Sequence, residues 1–259
     1  MVNVLFCGNK NMFDGMLTSM LSILKRSEFE NSYSFYIFTM DSDNEKSISD
    51  KQINFLNDIV VGFNNKNKVI KVNVTELFSK EYNNSINLGR HSNASLMRLL
   101  VDLVPNMPDK LLYLDTDILF NKDIKLIYDV DLEGYEYASA LDYDKKSKID
   151  SGILLLNLKR IKETNLLVNA RNIINSKEVY SIVQDVVVKC TDKNKFIYKK
   201  IVKEKVLQKK NIIKEFSKML MNNPYPHNED KFLKKKMFID IYEEYLEFKN
   251  IYCGYYMSY

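Results

Sequence analysis

The chain alternates short, strongly apolar runs with segments whose apolar residues recur at helical spacing. The run from Val2 to Phe6 is followed by such a helical pattern, at Met16, Leu17, Met20, Leu21 and Leu24. Further apolar runs at 34–40 and 68–74 enclose a segment that begins with Ser49 as a helix cap. The order strand, helix, strand, helix, strand is typical of βαβ units and predicts a mostly parallel sheet.

The most apolar strand, Leu111 to Asp115, ends on a carboxylate. It reads LLYLD and continues with Thr116 and Asp117. An almost unbroken apolar run is typical of a strand that helices cover on both faces. In extended backbone the side chains of Asp115 and Asp117 leave one face, and that of Thr116 leaves the other. Two carboxylates at the carboxyl end of a buried strand favour a bound cation, and ligands bind at this edge of α/β sheets.

An alternative interpretation is that the two aspartates only cap the turn after this strand. The same Asp-x-Asp spacing occurs at 41–43, 129–131 and 142–144, but only the copy at 115–117 follows a strongly apolar strand. The pattern alone favours neither interpretation, so the decision depends on the surrounding sequence.

The segment from Ser92 to Val104 carries an apolar stripe at helical spacing and is followed by Pro105, which predicts a helix. Arg98 on this helix is either a solvated surface residue or a bidentate phosphate ligand. Strands are predicted at 136–142 and 149–158. Asp150 in the second of these is either a loop carboxylate or an acceptor for a sugar hydroxyl, and two helices are expected from 164 to 189.

The last part of the chain is rich in lysine. Residues 199–218 alternate lysines with isoleucine, valine and leucine, which predicts a basic amphipathic helix. Such a helix has either a solvated face or a face that contacts an anionic membrane surface. Another helix closes the chain. We therefore expect one α/β core over residues 1–195, with a helical, basic segment over 196–259 packed on it.

Composition narrows the classes of function. The 259 residues include 38 basic and 34 acidic residues, a net charge of +4 that is too balanced to indicate nucleic-acid binding. Cys7, Cys190 and Cys253 form no C-x-x-C pair, so neither a disulfide framework nor a zinc site is indicated. The sequence contains neither a signal-peptide pattern nor an apolar run long enough to span a membrane, so a cytoplasmic location is expected.

Several motifs together resemble glycosyltransferase family 8, the retaining glycosyltransferases that include bacterial lipooligosaccharide galactosyltransferases and glycogenin. The similar stretches, between about residues 2 and 190, are VLFCGNKN, NASLMRLLVDLVPNMPDKLLYLDTDILFNKDI, the ALD strand, IDSGILLLNLKR and a following QD pair. The spacing from Arg98 to Asp115 and the phrase LLYLDTDILF are specific to this family's pattern.

The resemblance implies a GT-A fold, which is a Rossmann-like mixed sheet flanked by helices, a UDP-sugar donor and Mn²⁺, with Mg²⁺ as the alternative metal. Asp115 and Asp117 would hold the metal. Gln184 would lie beside the anomeric carbon, with Asp185 and Asp142 as further catalytic residues, and His91 would edge the acceptor site. The residues that would contact the donor are Phe6, Asn9, Asn11, Arg98, Asp115, Thr116, Asp150 and Gly254.

The chain departs from the family in its closing H-x-x-G-x-x-K-P motif. The counterpart around Gly254 has Ile251 in place of the metal-binding histidine and Met257 in place of the lysine. His227 is an alternative third ligand, and a surface histidine is the other interpretation of that residue.

These observations lead to three alternative hypotheses about the function of the protein. The first is a metal-dependent retaining transferase that moves glucose or galactose from a UDP-sugar to a bacterial surface glycan or glycoprotein. The second is a degenerate module that binds a UDP-sugar or a partner glycosyltransferase without turnover. The third is a scaffold at the inner face of the cell membrane that uses residues 199–218.

Overall fold

A computed structural model of the chain describes residues 1–28, 30–43, 45–82, 93–141, 149–176, 186, 190, 195–202, 213–215 and 239–256. Their strands are β1 Val2–Cys7, β2 Tyr33–Thr39, β3 Lys68–Asn73, β4 Lys110–Leu114, β5 Ile118–Phe120, β6 Tyr137–Leu141, β7 Ile149–Asn157, β8 Lys195–Val202 and β9 Ile213–Glu215. Their helices are α1 Phe13–Lys25, α2 Asp50–Phe63, α3 Thr75–Glu81, α4 Ala94–Met97, α5 Lys125–Tyr128, α6 Leu158–Thr164, α7 Leu166–Asn175 and α8 Ile239–Tyr256.

The main sheet of the described residues has seven strands in the order β3-β2-β1-β4-β7-β6-β8. The pairs β1–β2, β2–β3, β1–β4 and β6–β8 are parallel, whereas β7 runs antiparallel to both β4 and β6. The predicted mixed, mostly parallel sheet is therefore confirmed. Because β7 runs against its neighbours, its amino end meets the carboxyl ends of β1 and β4 at one edge of the sheet.

Two apolar layers cover the sheet, one on each face. Along β1, Val4 and Phe6 belong to the layer under α1, α2 and α8, whereas Leu5 and Cys7 belong to the layer under α4, α6 and α7. The strand β4 divides its side chains in the same way, with Tyr113 in the second layer. A strand buried on both faces has no polar face, and for this reason these strands read as continuous apolar runs.

The helix α2 begins where the sequence predicts. Ser49 accepts a hydrogen bond from the backbone N–H of Gln52, and the Gln52 side chain accepts one from the backbone N–H of Ser49. This reciprocal capping box satisfies two N–H groups that the first turn of a helix leaves unpaired.

The helix predicted over 92–104 is much shorter in the described residues, which begin again at 93. It consists of α4 and a 3-10 turn, Arg98–Leu100, followed by irregular turns. The side chain of Arg171 takes the carbonyl oxygen of Leu99, which would otherwise accept a bond from the next helical turn. Of the two helices expected from 164 to 189, the first is present as α7, and the second falls almost entirely outside the described residues. A further short helix, α6, precedes α7, and Asn165 with a left-handed φ of 56° separates the two.

The predicted basic helix over 199–218 is wrong where the structure describes it. Residues 199–202 belong to β8 and residues 213–215 form β9. Within 195–202 the sequence KFIYKKIV is rich in β-branched and aromatic residues, which favour a strand. The sheet therefore continues past residue 195, and the division of the chain there stays a prediction. None of the helices in the described ranges combines the length and the apolar character needed to cross a bilayer.

The predicted C-terminal helix is present as α8, and it runs antiparallel along α1. Asp240 at its start accepts two hydrogen bonds from Arg26, at 2.7 and 3.0 Å, beside the carboxyl end of α1. Further along, Lys249 Nζ lies 2.6 Å from both carboxylate oxygens of Asp14, near the amino end of α1. Tyr252 packs against Phe13, with the ring centroids 4.8 Å apart. The last turns of α8 thus lie at the end of α1 that follows β1.

The pair between Arg26 and Asp240 predicts a pH-dependent contribution to stability. Hydrogen bonds from the Arg26 guanidinium hold the pKa of the Asp240 carboxyl below its usual value. A lowered pKa in the folded protein stabilises the fold above the ordinary aspartate pKa, and this contribution disappears as the pH falls through the lowered value. Because Asp240 is partly exposed, we expect Asp240→Asn to lower the free energy of unfolding by less than about 1 kcal/mol at neutral pH. Urea unfolding between about pH 7 and pH 3 measures the difference, and a difference that does not shrink in acid would contradict the assignment.

Candidate functional site

Asp115 lies where three strands of the sheet meet. Phe6 in β1 pairs with Leu114 in β4, so the next residue of each strand, Cys7 and Asp115, also lie side by side. The backbone N–H of Asp115 donates to the carbonyl oxygen of Gly152 in β7, at 2.9 Å. The backbone of Asp115 is thereby fixed between its two neighbouring strands.

The carboxylate of Asp115 is held through one of its oxygens. The hydroxyl of Tyr113 donates a hydrogen bond to Oδ1, and Nη2 of Arg98 lies 3.5 Å from the same atom. Tyr113 and Asp115 share a face because they are two residues apart in an extended strand. Burial raises the pKa of the Tyr113 phenol well above its usual value, and the Asp115 charge acts in the same direction against the opposing effect of Arg98. The hydroxyl therefore keeps its proton and acts as the donor.

Arg98 is buried, with 7% of its surface exposed. Its guanidinium carbon lies 4.2 Å from the centroid of the Tyr113 ring, and its Nε donates to the carbonyl oxygen of Ser95 at 2.9 Å. A cation over an aromatic face is stabilised by the ring's electrons, more so when water is excluded. The alternative of a solvated surface arginine is therefore wrong, and contact with a phosphate stays a prediction.

A second buried arginine, Arg171 in α7, fixes the turn that carries Arg98. Its Nη1 and Nη2 lie 2.7 and 3.0 Å from the two carboxylate oxygens of Asp102, and its Nε donates to Glu81 at 3.1 Å. Its Nη1 also donates to the carbonyl oxygen of Leu99. With 3% of its surface exposed, Arg171 ties α3 and α7 to the residue that follows Arg98.

The segment from Thr116 to Phe120, which ends in β5 and is here called the aspartate loop, rests on α1. A Cβ atom added to Gly15 would lie 2.6 Å from the carbonyl oxygen of Thr116, so only glycine permits this approach. At the other end of the loop, the backbone N–H of Phe120 donates to the Ser22 hydroxyl at 3.0 Å. Asp117, between these two supports, is half-buried. The helix α1 therefore sets the position of the backbone that carries both aspartates.

Further residues that were predicted to contact the UDP-sugar donor lie at the end of β1. Asn9 is 6% exposed, and its side-chain oxygen accepts from the backbone N–H of Asn11 at 2.9 Å, which caps a short 3-10 turn. Phe6 is completely buried and stacks on Phe35 with ring centroids 6.4 Å apart. These contacts account for the local fold, and roles in nucleotide binding stay predictions for these residues.

Several predicted residues lie outside the described part of the chain. They are His91, Asp142, Gln184, Asp185 and His227. For Asp150 and Gly254 the structure describes the backbone, in β7 and α8 respectively. Asp150 is two residues before Gly152, at the edge where Asp115 lies, and Gly254 is on the last turn of the helix that packs against the start of α1.

The two aspartates fit a hard divalent cation. Carboxylate oxygens suit Mn²⁺ and Mg²⁺, and Mg²⁺ is commonly bound by one or two carboxylates together with substrate phosphates and water. Within the described residues no group of three histidine, cysteine, aspartate or glutamate side chains could hold a metal ion. Within the described residues Asp115 and Asp117 would supply only part of a ligand set, and metal binding by these two residues stays a prediction.

Sequence reasoning missed two supporting residues. Tyr113 could have been found, because in a strand it shares a face with Asp115. Arg171 gave no signal, since the segments that it joins are far apart in the sequence.

Comparison with known proteins gives one family. The model of the family described as "Glycosyl transferase family 8" matches residues 3–202. A search of curated protein sequences found no match.

Solved structures of glycosyltransferases have a similar fold. The galactosyltransferase LgtC, in complex with donor and acceptor sugar analogs, superposes with a TM-score of 0.69 at 14% identity over 94% of this chain and 96% of LgtC. WbbM, a bifunctional glycosyltransferase in its apo form, gives 0.70 at 14% identity over 93% of this chain and 51% of its own. GlyE of Streptococcus pneumoniae TIGR4, also apo, gives 0.66 at 14% identity over 95% and 63%. At these identities the similarity shows a shared fold alone.

Gly15→Ala tests the contact between α1 and the aspartate loop. The added methyl group would meet the Thr116 carbonyl, so the loop or the helix must shift, and we expect a loss of about 1–3 kcal/mol in the free energy of unfolding. Gly62→Ala in α2 is the matched control, because nothing lies within 4 Å of its added Cβ. It should stabilise the protein by about 0.5 kcal/mol through helix propensity. Equal effects of the two substitutions in urea unfolding would contradict the close approach.

Proposed function

Because this chain belongs to glycosyltransferase family 8 and has the GT-A fold, we propose that it is a metal-dependent retaining glycosyltransferase. The proposed reaction transfers a hexose, glucose or galactose, from a UDP-sugar to a glycan or glycoprotein acceptor in bacterial cell-surface glycan synthesis. The observation that carries the proposal is the carboxylate of Asp115, fixed beside buried Arg98 at the carboxyl edge of the sheet.

In this proposal Asp115 and Asp117 hold Mn²⁺, or Mg²⁺ as the alternative. When bound, the metal neutralises charge that grows on the diphosphate as UDP departs. Tyr113 and the Gly152 carbonyl hold Asp115 in place. Arg98 adds a permanent positive charge beside this carboxylate, and a guanidinium suits a phosphate because it presents several donors in one plane.

Retention of configuration requires that the acceptor oxygen attack the face of the sugar that the phosphate leaves. The bond from the anomeric carbon to the phosphate oxygen breaks, a bond to the acceptor oxygen forms on the same face, and the acceptor's proton passes to the departing diphosphate. We assign Gln184 to the side of the anomeric carbon and Asp185 and Asp142 to the same catalytic region. His91 is assigned to the acceptor site. These four assignments rest on the family resemblance.

The UDP-sugar donor and the glycan or glycoprotein acceptor are also proposed from the family resemblance. The crystallised LgtC complex contains donor and acceptor sugar analogs, and a similar division of ligands between nucleotide-sugar and acceptor is proposed for this chain. Asn9, Asn11, Phe6, Thr116, Asp150 and Gly254 are the further residues proposed at the donor site. The balanced net charge of +4 supports a partner other than nucleic acid. A cytoplasmic location is proposed. Contact with the inner membrane face through residues 199–218 stays a prediction, although the described residues 199–202 and 213–215 are strands and not the helix on which it was based.

The alternative is a module that binds a UDP-sugar or a partner glycosyltransferase without turnover. It is favoured by Ile251, which is 48% exposed on α8 and stands where the family motif has histidine. It is also favoured by the lack of a third metal-binding side chain near the aspartates within the described residues. Formation of free UDP by cleavage of a UDP-sugar, measured together with nucleotide binding, distinguishes the two functions. The non-catalytic module would bind the nucleotide but would form no free UDP.

Asparagine substitutions at the two aspartates test the metal site. We expect the wild type to bind UDP with micromolar affinity only when Mn²⁺ is present, and Asp115→Asn or Asp117→Asn to weaken this binding at least about ten-fold, because an amide is a weaker metal ligand than a carboxylate. Calorimetric titration with and without Mn²⁺ measures both effects.

The chain offers a matched control in another Asp-x-Asp pair. Asp129→Asn and Asp131→Asn alter carboxylates outside the site, where Asp129 pairs with Lys125 at 2.8 Å and Asp131 accepts from the backbone N–H of Glu133. Their UDP affinity should equal that of the wild type. Unchanged Mn²⁺-dependent binding in the Asp115 and Asp117 variants would refute the metal assignment.

A further inference from the structure

The two carboxylate oxygens of Asp115 have different surroundings, because Tyr113 and Arg98 both contact Oδ1. We propose that Tyr113 is a positioning residue that, together with Arg98, occupies Oδ1 of Asp115, so that only Oδ2 is available to a divalent cation. Asp115 then binds the metal through one oxygen, which favours Mn²⁺ and Mg²⁺ over Ca²⁺. This inference rests on the proposed metal-dependent function.

The contacts of the Asp115 carboxylate are made through one oxygen. In the described part of the chain, the hydrogen bond from Tyr113 and the ion pair with Arg98 both involve Oδ1. No hydrogen bond to Oδ2 is found within this part of the chain. The side chain of Asp115 is 22% exposed, compared with 2% for the residue Tyr113. One face of the carboxylate is therefore turned to the protein, and the other oxygen is left for a ligand.

Tyr113 and Arg98, the two residues that contact Oδ1, are themselves held in place. Tyr113 belongs to β4 and is packed in the apolar layer beside Leu5 and Leu154. Arg98 lies over the Tyr113 ring and is tied to the carbonyl oxygen of Ser95. The Asp115 backbone is bonded to β7, and rotation of the carboxylate would break the hydrogen bond from Tyr113. The direction in which Oδ2 points is therefore fixed before a metal binds.

Mg²⁺, Mn²⁺ and Ca²⁺ differ in the coordination geometry that they require. Mg²⁺ requires near-ideal octahedral geometry with short metal–oxygen distances, and Mn²⁺ also prefers octahedral oxygen sites. Ca²⁺ accepts more ligands in a flexible geometry and often binds a carboxylate through both oxygens. A carboxylate with one oxygen already committed cannot bind in the second way. The hydroxyl of Tyr113 thus acts on the choice of ion as well as on affinity.

Tyr113→Phe is the sharpest variant, because it removes the hydroxyl and keeps the ring under Arg98. We expect its affinity for Mn²⁺ in the presence of UDP to fall about ten-fold, as is usual when a residue that orients a metal ligand is lost. Its affinity for Ca²⁺ should fall less, because Oδ1, then contacted only by Arg98 at 3.5 Å, can join Oδ2 in binding the larger ion. The ratio of Ca²⁺ affinity to Mn²⁺ affinity should therefore rise several-fold.

Tyr128→Phe is the matched control. The Tyr128 hydroxyl donates to the carbonyl oxygen of Lys110 at 3.1 Å and accepts from Asn3, at the opposite end of β4. This variant removes a phenol oxygen of α5 that contacts the same strand, and it leaves the contacts of Asp115 intact, so the affinities for both ions should match the wild type. Thermal unfolding of the two variants compares their stability.

Calorimetric titrations of the three proteins with MnCl₂ and with CaCl₂, each in the presence of UDP, give distinct outcomes. A raised Ca²⁺ to Mn²⁺ ratio in Tyr113→Phe alone supports the inference. An unchanged ratio, whether both affinities stay constant or fall together, overturns it and leaves the proposed function standing. A wild type that binds neither ion with UDP overturns the proposed function, and the inference with it.

Discussion

A carboxylate at the end of a strand buried on both faces must be compensated, and the site is arranged around that constraint. Asp115 ends the most apolar strand of the sheet, where an isolated charge would be costly. Tyr113 and Arg98 meet one of its oxygens, and the strand β7 takes its backbone N–H. These contacts use only part of the carboxylate, and Asp115 lies at the edge of the sheet where ligands bind in α/β folds.

Helices on the two faces hold this arrangement from opposite sides. On one face, Arg171 joins α7 and α3 to the turn of Arg98, so the position of that cation depends on a buried ionic cluster. Removing one partner from such a cluster leaves an uncompensated charge, so the cluster is stable only as a unit. On the other face, α1 approaches the Thr116 carbonyl through Gly15 and is itself clamped by α8. The site thus depends on segments from most of the chain.

The sequence predicts the centre of the fold well and its periphery less well. The strands β1, β2 and β4 and the capped helix α2 follow from apolar runs and from Ser49, because their burial and their local propensity agree. The burial of Arg98 could not be predicted, since it depends on Tyr113 and Asp115 meeting it across the layer. At 199–202 two lysines are followed by the β-branched Ile201 and Val202, a sequence that fits both a helix and a strand, and the pairing of Val202 with Leu141 in β6 decides for the strand. The resemblance to family 8 predicted the fold where periodicity could not, and the roles of Gln184, Asp185, Asp142 and His91 stay predictions.

The most direct test of the central claim is a crystal structure of the protein grown with UDP and Mn²⁺, with the manganese located by its anomalous scattering. We expect one manganese peak between Asp115 and Asp117 that also contacts the diphosphate, with Tyr113 still bonded to Oδ1 of Asp115. A nucleotide bound without manganese, or a manganese peak away from the two aspartates, would contradict it.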